Sequence, residues 1–288
     1  MGTCDRATEL SKTQNGGFLP RPDVVSALAG IFSEGISELK MTETADALHA
    51  MACHNMTLPC TEKGCVTPKL ALDVMAQADQ QMCMRYQGAA GGLEASALSL
   101  YPFTHEILTN MRDALAGNDA RIFALFSGHD TVVAPLLAAL GAYDCRWPPY
   151  ASHVAFELWS RPPDSGNPSH GDGRRTERER RVLLEDGGGG GEGEAKEEVS
   201  GDGETKTDAG YAGHGKSEED DAYVRVTFNG QPVTHFITDC RRLSDAERPY
   251  GREFCPLSAV ASTIGRALGH HKTLEEACSA FEMQNSLD

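Results

Sequence analysis

Residues 121 to 141, RIFALFSGHDTVVAPLLAALG, constrain the fold of this chain more than any other stretch. The run RIFALF is continuously apolar and predicts a central strand covered on both faces by helices, because a strand with one wet face would alternate apolar and polar residues. A turn, SGHDT, follows. The next residues predict a helix that opens at Asp130-Thr131, carries Pro135 in its first turn and buries Val133, Leu136, Leu137 and Leu140. Gly141 is placed to end it, since glycine adopts the left-handed conformation that closes helices. Strand, turn and helix in this order imply an α/β domain, in which ligands bind at the carboxyl edge of the sheet beside helix N-termini.

His129 and Asp130 would lie at that edge. A helix N-terminus attracts anions, a histidine there can donate to a phosphate oxygen, and an adjacent aspartate can deliver a proton to a leaving alkoxide. The pair taken alone also fits a polar cap, with Asp130 accepting from the first free N–H groups of the helix and His129 as a polar residue at the strand end.

Upstream, the chain reads as helical from about Asp23 to Ala116. Val24, Leu28, Ile31 and Phe32 recur at helical spacing. TPKLALDVMAQADQQMCMRY begins with a Thr-Pro start signal and repeats Leu70, Val74 and Met75 on one face. Downstream, HVAFELW alternates Val154, Phe156 and Leu158, and YVRVTFNGQPV alternates Val224, Val226 and Phe228 before Asn229-Gly230, the favoured two-residue hairpin turn. Between these strands, residues 161 to 221 hold 17 acidic and 9 basic residues and 14 of the chain's 30 glycines. DGGGGGEGEAKEEVSGDGETKTDAG within them has almost no apolar side chain to bury, so the stretch is expected to be a disordered insertion between two neighbouring strands of one sheet.

With a formal net charge of −16, the chain lacks the basic face that a nucleic-acid backbone requires. No apolar run is long enough for a membrane span, and MGTCDRATELSKTQNGG has no apolar signal-peptide core. Nine cysteines fit an oxidising compartment and leave at least one sulfur unpaired. Cys53, Cys60 and Cys65 cluster around LPCTEKGC, and Cys240 and Cys255 flank a basic loop; disulfides are expected. Cys53, Cys60 and Cys65 with His54 could also ligate zinc, but their spacing matches no common zinc motif, and no metal is expected. Asn55 in NMT is a glycosylation acceptor if the chain reaches a secretory lumen.

FSGHDTVVAPLLAALG followed by WPPYASHVAFELW resembles the C-terminal half of the histidine acid phosphatases, which carry a His-Asp-Thr strand end, a Leu-Leu-x-Ala-Leu-Gly helix, a Pro-Pro-Tyr-Ala-Ser stretch and a Phe-Glu-Leu strand in this order. LPCTEKGC and YPFTHEILTNM are similar in particular to the 2-phosphoxylose phosphatase branch. The resemblance covers most of residues 1 to 160 and resumes at about 222 to 260. It implies an α/β fold, a three-layer phosphoglycerate-mutase-like sheet with a helical cap at about 20 to 116. Residues 1 to 160 and 222 to 288 would form the phosphatase domain, interrupted by 161 to 221.

The implied reaction is phosphomonoester hydrolysis in two steps, without metal or cofactor. The histidine of an Arg-His-Gly motif attacks phosphorus, arginines hold the oxygens, and the aspartate of the His-Asp pair protonates the leaving group. By motif, Asp130 is the general acid and His129 binds the phosphate. Arg6, in TCDRATELSKTQNGGFLP, falls where a further substrate-binding arginine would stand, although it is also placed like an ordinary arginine near a chain end. The partner implied is a small phosphomonoester or phosphorylated glycan, with phosphoxylose of a proteoglycan linkage region as the specific expectation and the Golgi or secretory lumen as the compartment.

No Arg-His dipeptide occurs in the 288 residues. SHGDGRR, from Ser169, lacks the preceding arginine and is no substitute. The sequence therefore reads as an N-terminally truncated phosphatase, expected to be inactive by itself and to leave a core edge unpaired with apolar surface exposed. A non-catalytic fragment or regulatory isoform that retains the phosphate pocket is the alternative.

Overall fold

The computed structural model of the chain describes residues 4–15, 18–32, 38–89, 91–160 and 221–285. The expected insertion from Arg161 lies, but for Asp221, outside the described residues, as does SHGDGRR.

Five helices open the chain: α1 (Asp5–Asn15), α2 (Pro22–Phe32), α3 (Glu38–Cys53), α4 (Pro68–Gln87) and α5 (Gly92–Leu115). Between α3 and α4 a short hairpin pairs β1 (Cys60–Thr61) with β2 (Gly64–Cys65). The helical reading of this region holds. Val24, Leu28 and Ile31 of α2 are buried against Val74 and Ala78 of α4 and Met41, Ala45 and Leu48 of α3. The start signal of α4 works as the sequence suggests: the Thr67 hydroxyl accepts from the Leu70 N–H at 3.1 Å, and Pro68 occupies the first turn, where its missing N–H costs nothing.

A second core lies where α5, α6 (Asp130–Leu140) and α7 (Leu257–Gly265) pack on an antiparallel sheet. Its strands are β3 (Val154–Trp159), β4 (Tyr223–Phe228), β5 (Gln231–Pro232) and β6 (Cys255–Pro256); β4 is central, paired with all three others. β3 and β4 run in full register from Val154 opposite Phe228 to Trp159 opposite Tyr223. They are the neighbouring strands that the alternating patterns predict. Asn229 and Gly230 turn the chain into β5 with φ of 49° and 77°, the left-handed pair that such a hairpin needs. A last helix, α8 (Leu274–Asn285), packs on α1.

One expectation fails. RIFALF is no strand: residues 121–126 belong to no ladder, and Phe123 and Leu125 are 75 % and 82 % exposed. Among the described residues no other strand lies beside this segment, so its backbone has nothing to pair with and its side chains no layer to enter. The exposed apolar edge expected of this chain is therefore this stretch. Helix α6 forms regardless, because its own buried face, Ala134, Leu136, Leu137, Ala138 and Leu140, has partners in α5 and the sheet. Pro135 stands in the second turn rather than the first, where it removes one intrahelical bond without ending the helix.

Eight of the nine cysteines are paired, as Cys4–Cys278, Cys60–Cys65, Cys83–Cys145 and Cys240–Cys255. Cys53 is free and exposed. The expected pairing in the LPCTEKGC loop is thus Cys60 with Cys65, which takes two sulfurs from any zinc set built on Cys53 and His54. Among the described residues no helix is long and apolar enough to cross a membrane.

Candidate active site

His129 and Asp130 sit where the segment 121–128, which belongs to no helix or ladder, enters α6. His129, not Asp130, is the N-cap: its backbone is extended (φ −120°, ψ 174°), and its carbonyl accepts from Val132 and Val133 at 2.9 and 3.0 Å. Its imidazole makes no capping bond and is exposed. Asp130 is the first helical residue, with both carboxylate oxygens engaged. Oδ1 accepts from the Thr131 N–H at 2.9 Å, and Oδ2 accepts from the Trp147 indole Nε1–H at 2.6 Å. The two readings of the pair are thus divided between its members, since Asp130 binds the free end of the helix while His129 faces solvent.

The far end of α6 is anchored as well. Gly141 closes the helix at φ 82°, and the carbonyl of Leu140 accepts from the Thr238 N–H at 3.0 Å. With its last turn bound to the segment after β5, α6 presents its N-terminus, the positive end of the helix dipole, at a fixed place.

Trp147 belongs to the loop CRWPPY, residues 145–150, which α3 and α4 hold from two sides. Its backbone N–H donates to Asp79 Oδ1 of α4 at 2.8 Å, and its ring meets that of His49 of α3 edge-on at 5.8 Å. Tyr150 donates to Asp46 Oδ1, also of α3, at 3.0 Å, and this bond chiefly raises the Tyr150 phenol above its usual range. Tyr86 and Tyr143, packed edge to face at 6.3 Å behind the loop, are raised first by burial; the charge of Asp130 adds to the effect on each.

Arg6 pairs with Glu94 at 2.5 Å and lines a cavity with Arg266, His270 and His271. The arginine that shares a cavity with the first turn of α6 is Arg85, which faces Ser11, Ser99 and Thr131 there and lies 5.5 Å over the Tyr86 ring. Asn55 is exposed in the turn after α3, with the left-handed φ of 51° that asparagine tolerates well.

The model of the histidine phosphatase superfamily (branch 2) matches residues 61–229, more than half of the chain and including His129, Asp130 and Trp147. The chain belongs to this superfamily. Among curated relatives, it is 29 % identical over 236 residues to 2-phosphoxylose phosphatase 1 of Xenopus tropicalis, covering 79 % of this chain and 34 % of that protein. To 2-phosphoxylose phosphatase 1 of Homo sapiens it is 30 % identical over 133 residues, 46 % of this chain and 27 % of the relative. To prostatic acid phosphatase of Rattus norvegicus it is 30 % identical over 139 residues, 48 % and 34 % of the two lengths. The chain thus spans between about a quarter and a third of the length of these relatives.

Sequence reasoning singled out His129 and Asp130 but missed Trp147, Asp79 and Asp46. WPPY belongs to the family pattern, and nothing in its spacing shows that the indole reaches a carboxylate 17 residues earlier.

Proposed function

We propose that this chain carries the leaving-group half of a phosphomonoester hydrolase site. The observation that carries the reading is Asp130 at the first turn of α6, its carboxylate held by two N–H donors, next to an exposed His129 that no capping bond occupies. In the reaction, the P–O bond to the leaving oxygen breaks as a bond from the nucleophile to phosphorus forms. Asp130 transfers its proton to that oxygen, so that an alcohol rather than an alkoxide departs. His129 and the N-terminus of α6 neutralise charge on the phosphoryl oxygens. Arg6 is assigned to substrate binding by motif alone.

The names of the relatives support a phosphorylated sugar as substrate, specifically phosphoxylose, and the four disulfides support the Golgi or secretory lumen. A glycan on Asn55 belongs to the same reading, in which residues 1–160 and 222–288 form the phosphatase domain and 161–221 an insertion. Because the 288 residues contain no Arg-His dipeptide, the attacking histidine is assigned to polypeptide outside them, and these residues by themselves bind oxyanions without turnover. Acid catalysis alone supplies about 10²–10⁴-fold, far below what phosphate-monoester hydrolysis demands.

The experiment is phosphate release from an aryl phosphate at acidic pH, by the 288-residue chain and by a version extended upstream through an Arg-His-Gly segment, each with and without Asp130→Asn. Activity is expected only in the extended protein, with a loss of about 10²-fold or more on changing Asp130. Turnover by the 288 residues that vanishes in His129→Ala would assign the nucleophile to His129 and overturn this division of roles.

A further inference from the structure

Asp130 is the only residue of the His-Asp pair whose side chain is held from outside its own helix, and the group that holds it is neither acidic, basic nor phosphate-binding. Indole nitrogen can only donate, so Trp147 offers the carboxyl a single hydrogen bond of one direction and cannot compete for its proton. With Oδ1 on the Thr131 N–H and Oδ2 on the indole, the carboxyl group is fixed about both of its side-chain torsions.

The indole is fixed in turn. Cys145, two residues before it, is disulfide-bonded to Cys83 of α4, and the Trp147 N–H is tied to Asp79, one turn earlier on the same helix. His49 packs edge-on against the ring from α3, and Tyr150, three residues on, is bound to Asp46, one turn before His49. Two cap helices thus hold one loop at four places around one tryptophan. An indole held only to fill space would need its ring packed and its N–H turned anywhere polar; here the N–H meets the carboxylate at 2.6 Å.

We propose that Trp147 is a positioning residue: it holds the Asp130 carboxyl in the single rotamer from which its proton is delivered, and it ties that rotamer to the helical cap through α3 and α4. The role in proton delivery rests on the hydrolase reading above; the rotamer lock does not.

The test has two arms. In the 288-residue chain, labelled with ¹⁵N, the two indole N–H resonances are assigned with Trp159→Phe and followed through Asp130→Ala and Asp79→Ala, which remove the two acceptors. The Trp147 signal should lie downfield and move in both variants while the Trp159 signal stays. A Trp147 signal that stays in place in Asp130→Ala overturns the proposal whatever the enzyme does. In the extended, phosphate-releasing protein, Trp147→Phe should lower kcat about tenfold with KM within about twofold and alter the alkaline limb of the pH–rate profile, where rate falls as the proton donor ionises. Trp147→His, which keeps a ring N–H, should recover part of the loss. Equal kcat in Trp147→Phe and the parent overturns the proposal. If Trp147→Phe fails to fold, the Asp79→Ala variant, which removes the acceptor of the Trp147 backbone N–H and leaves the indole intact, must show the same loss confined to kcat. An inactive extended parent would sink the hydrolase reading and leave the indole signal to decide the rotamer lock.

Discussion

Cys145 adopts a left-handed backbone, φ 61°, and its sulfur is bonded to Cys83 on α4, so the loop that carries Trp147 is covalently fastened to the helix that also binds the Trp147 N–H. Changing both cysteines to serine should lower the unfolding free energy by about 2–4 kcal/mol, the usual worth of a disulfide that closes a loop of this size. The same change should shift the fluorescence of Trp147 measured in a Trp159→Phe background. A shift in stability without any change at the indole would mean that Asp79 alone holds the loop.

Gly141→Ala should destabilise the protein far more than Gly117→Ala. Both glycines have positive φ, 82° and 72°, but a Cβ at 141 would stand 2.5 Å from Thr238 Oγ1, whereas a Cβ at 117 meets nothing within 4 Å. The left-handed penalty of about 1–2 kcal/mol is common to both, so the difference between the two variants in urea denaturation reads the clash alone.

Lysine at Ile122 and Leu125 should leave the melting temperature within about 1 °C and reduce self-association in light scattering, because these side chains are exposed and give up no packing when replaced. A drop of several degrees would mean that the segment is buried in solution after all.

Those same residues mark the limit of what the sequence discloses. Helix α4, helix α6 and strands β3 and β4 are legible because each carries its own local signature: Thr67-Pro68 at a start, Gly141 at a stop, an Asn229-Gly230 turn. RIFALF has a strand's composition, but a strand exists only with a neighbour to bond, and that condition is not written in the six residues themselves. The site divides in the same way. His129 and Asp130 are readable as a dipeptide at a helix start. The Trp147 contact depends on how α3 and α4 seat a distant loop, which no local pattern encodes.

Stability in acid should depend on Asp239. The Arg266 guanidinium, which donates to it at 2.9 Å from Nε, holds this mostly buried carboxyl below the usual range. A depressed carboxyl contributes stability above its unfolded value of about 3.9, and that contribution is lost as pH falls through the lower folded value. Asp239→Asn should therefore be less stable than the parent at pH 6 and converge with it as pH falls below the ordinary carboxylate range. Parallel curves from pH 6 to pH 2 would show that the pair does not contribute.

Tyr143→Phe should be neutral or stabilising near pH 7, since the Tyr143 hydroxyl is buried with no hydrogen-bond partner among the described residues. Burial raises this phenol above its usual range, so the neutral form is favoured in the fold and stability falls as pH rises past about 10, where the unfolded phenol ionises. The phenylalanine variant should lose less stability between pH 9 and 11 in alkaline melts. A fall as steep as the parent's would assign the alkaline loss to other groups.

The bond between Cys4 and Cys278, 274 positions apart, gives the covalent skeleton the topology of a ring. A ring cut once is still one molecule. Any single peptide bond broken between these two cysteines would leave the pieces joined, and the protein would part into fragments on a denaturing gel only after reduction. What looks intact without reductant can therefore already have been processed, and the state of the backbone has to be read with the disulfides open.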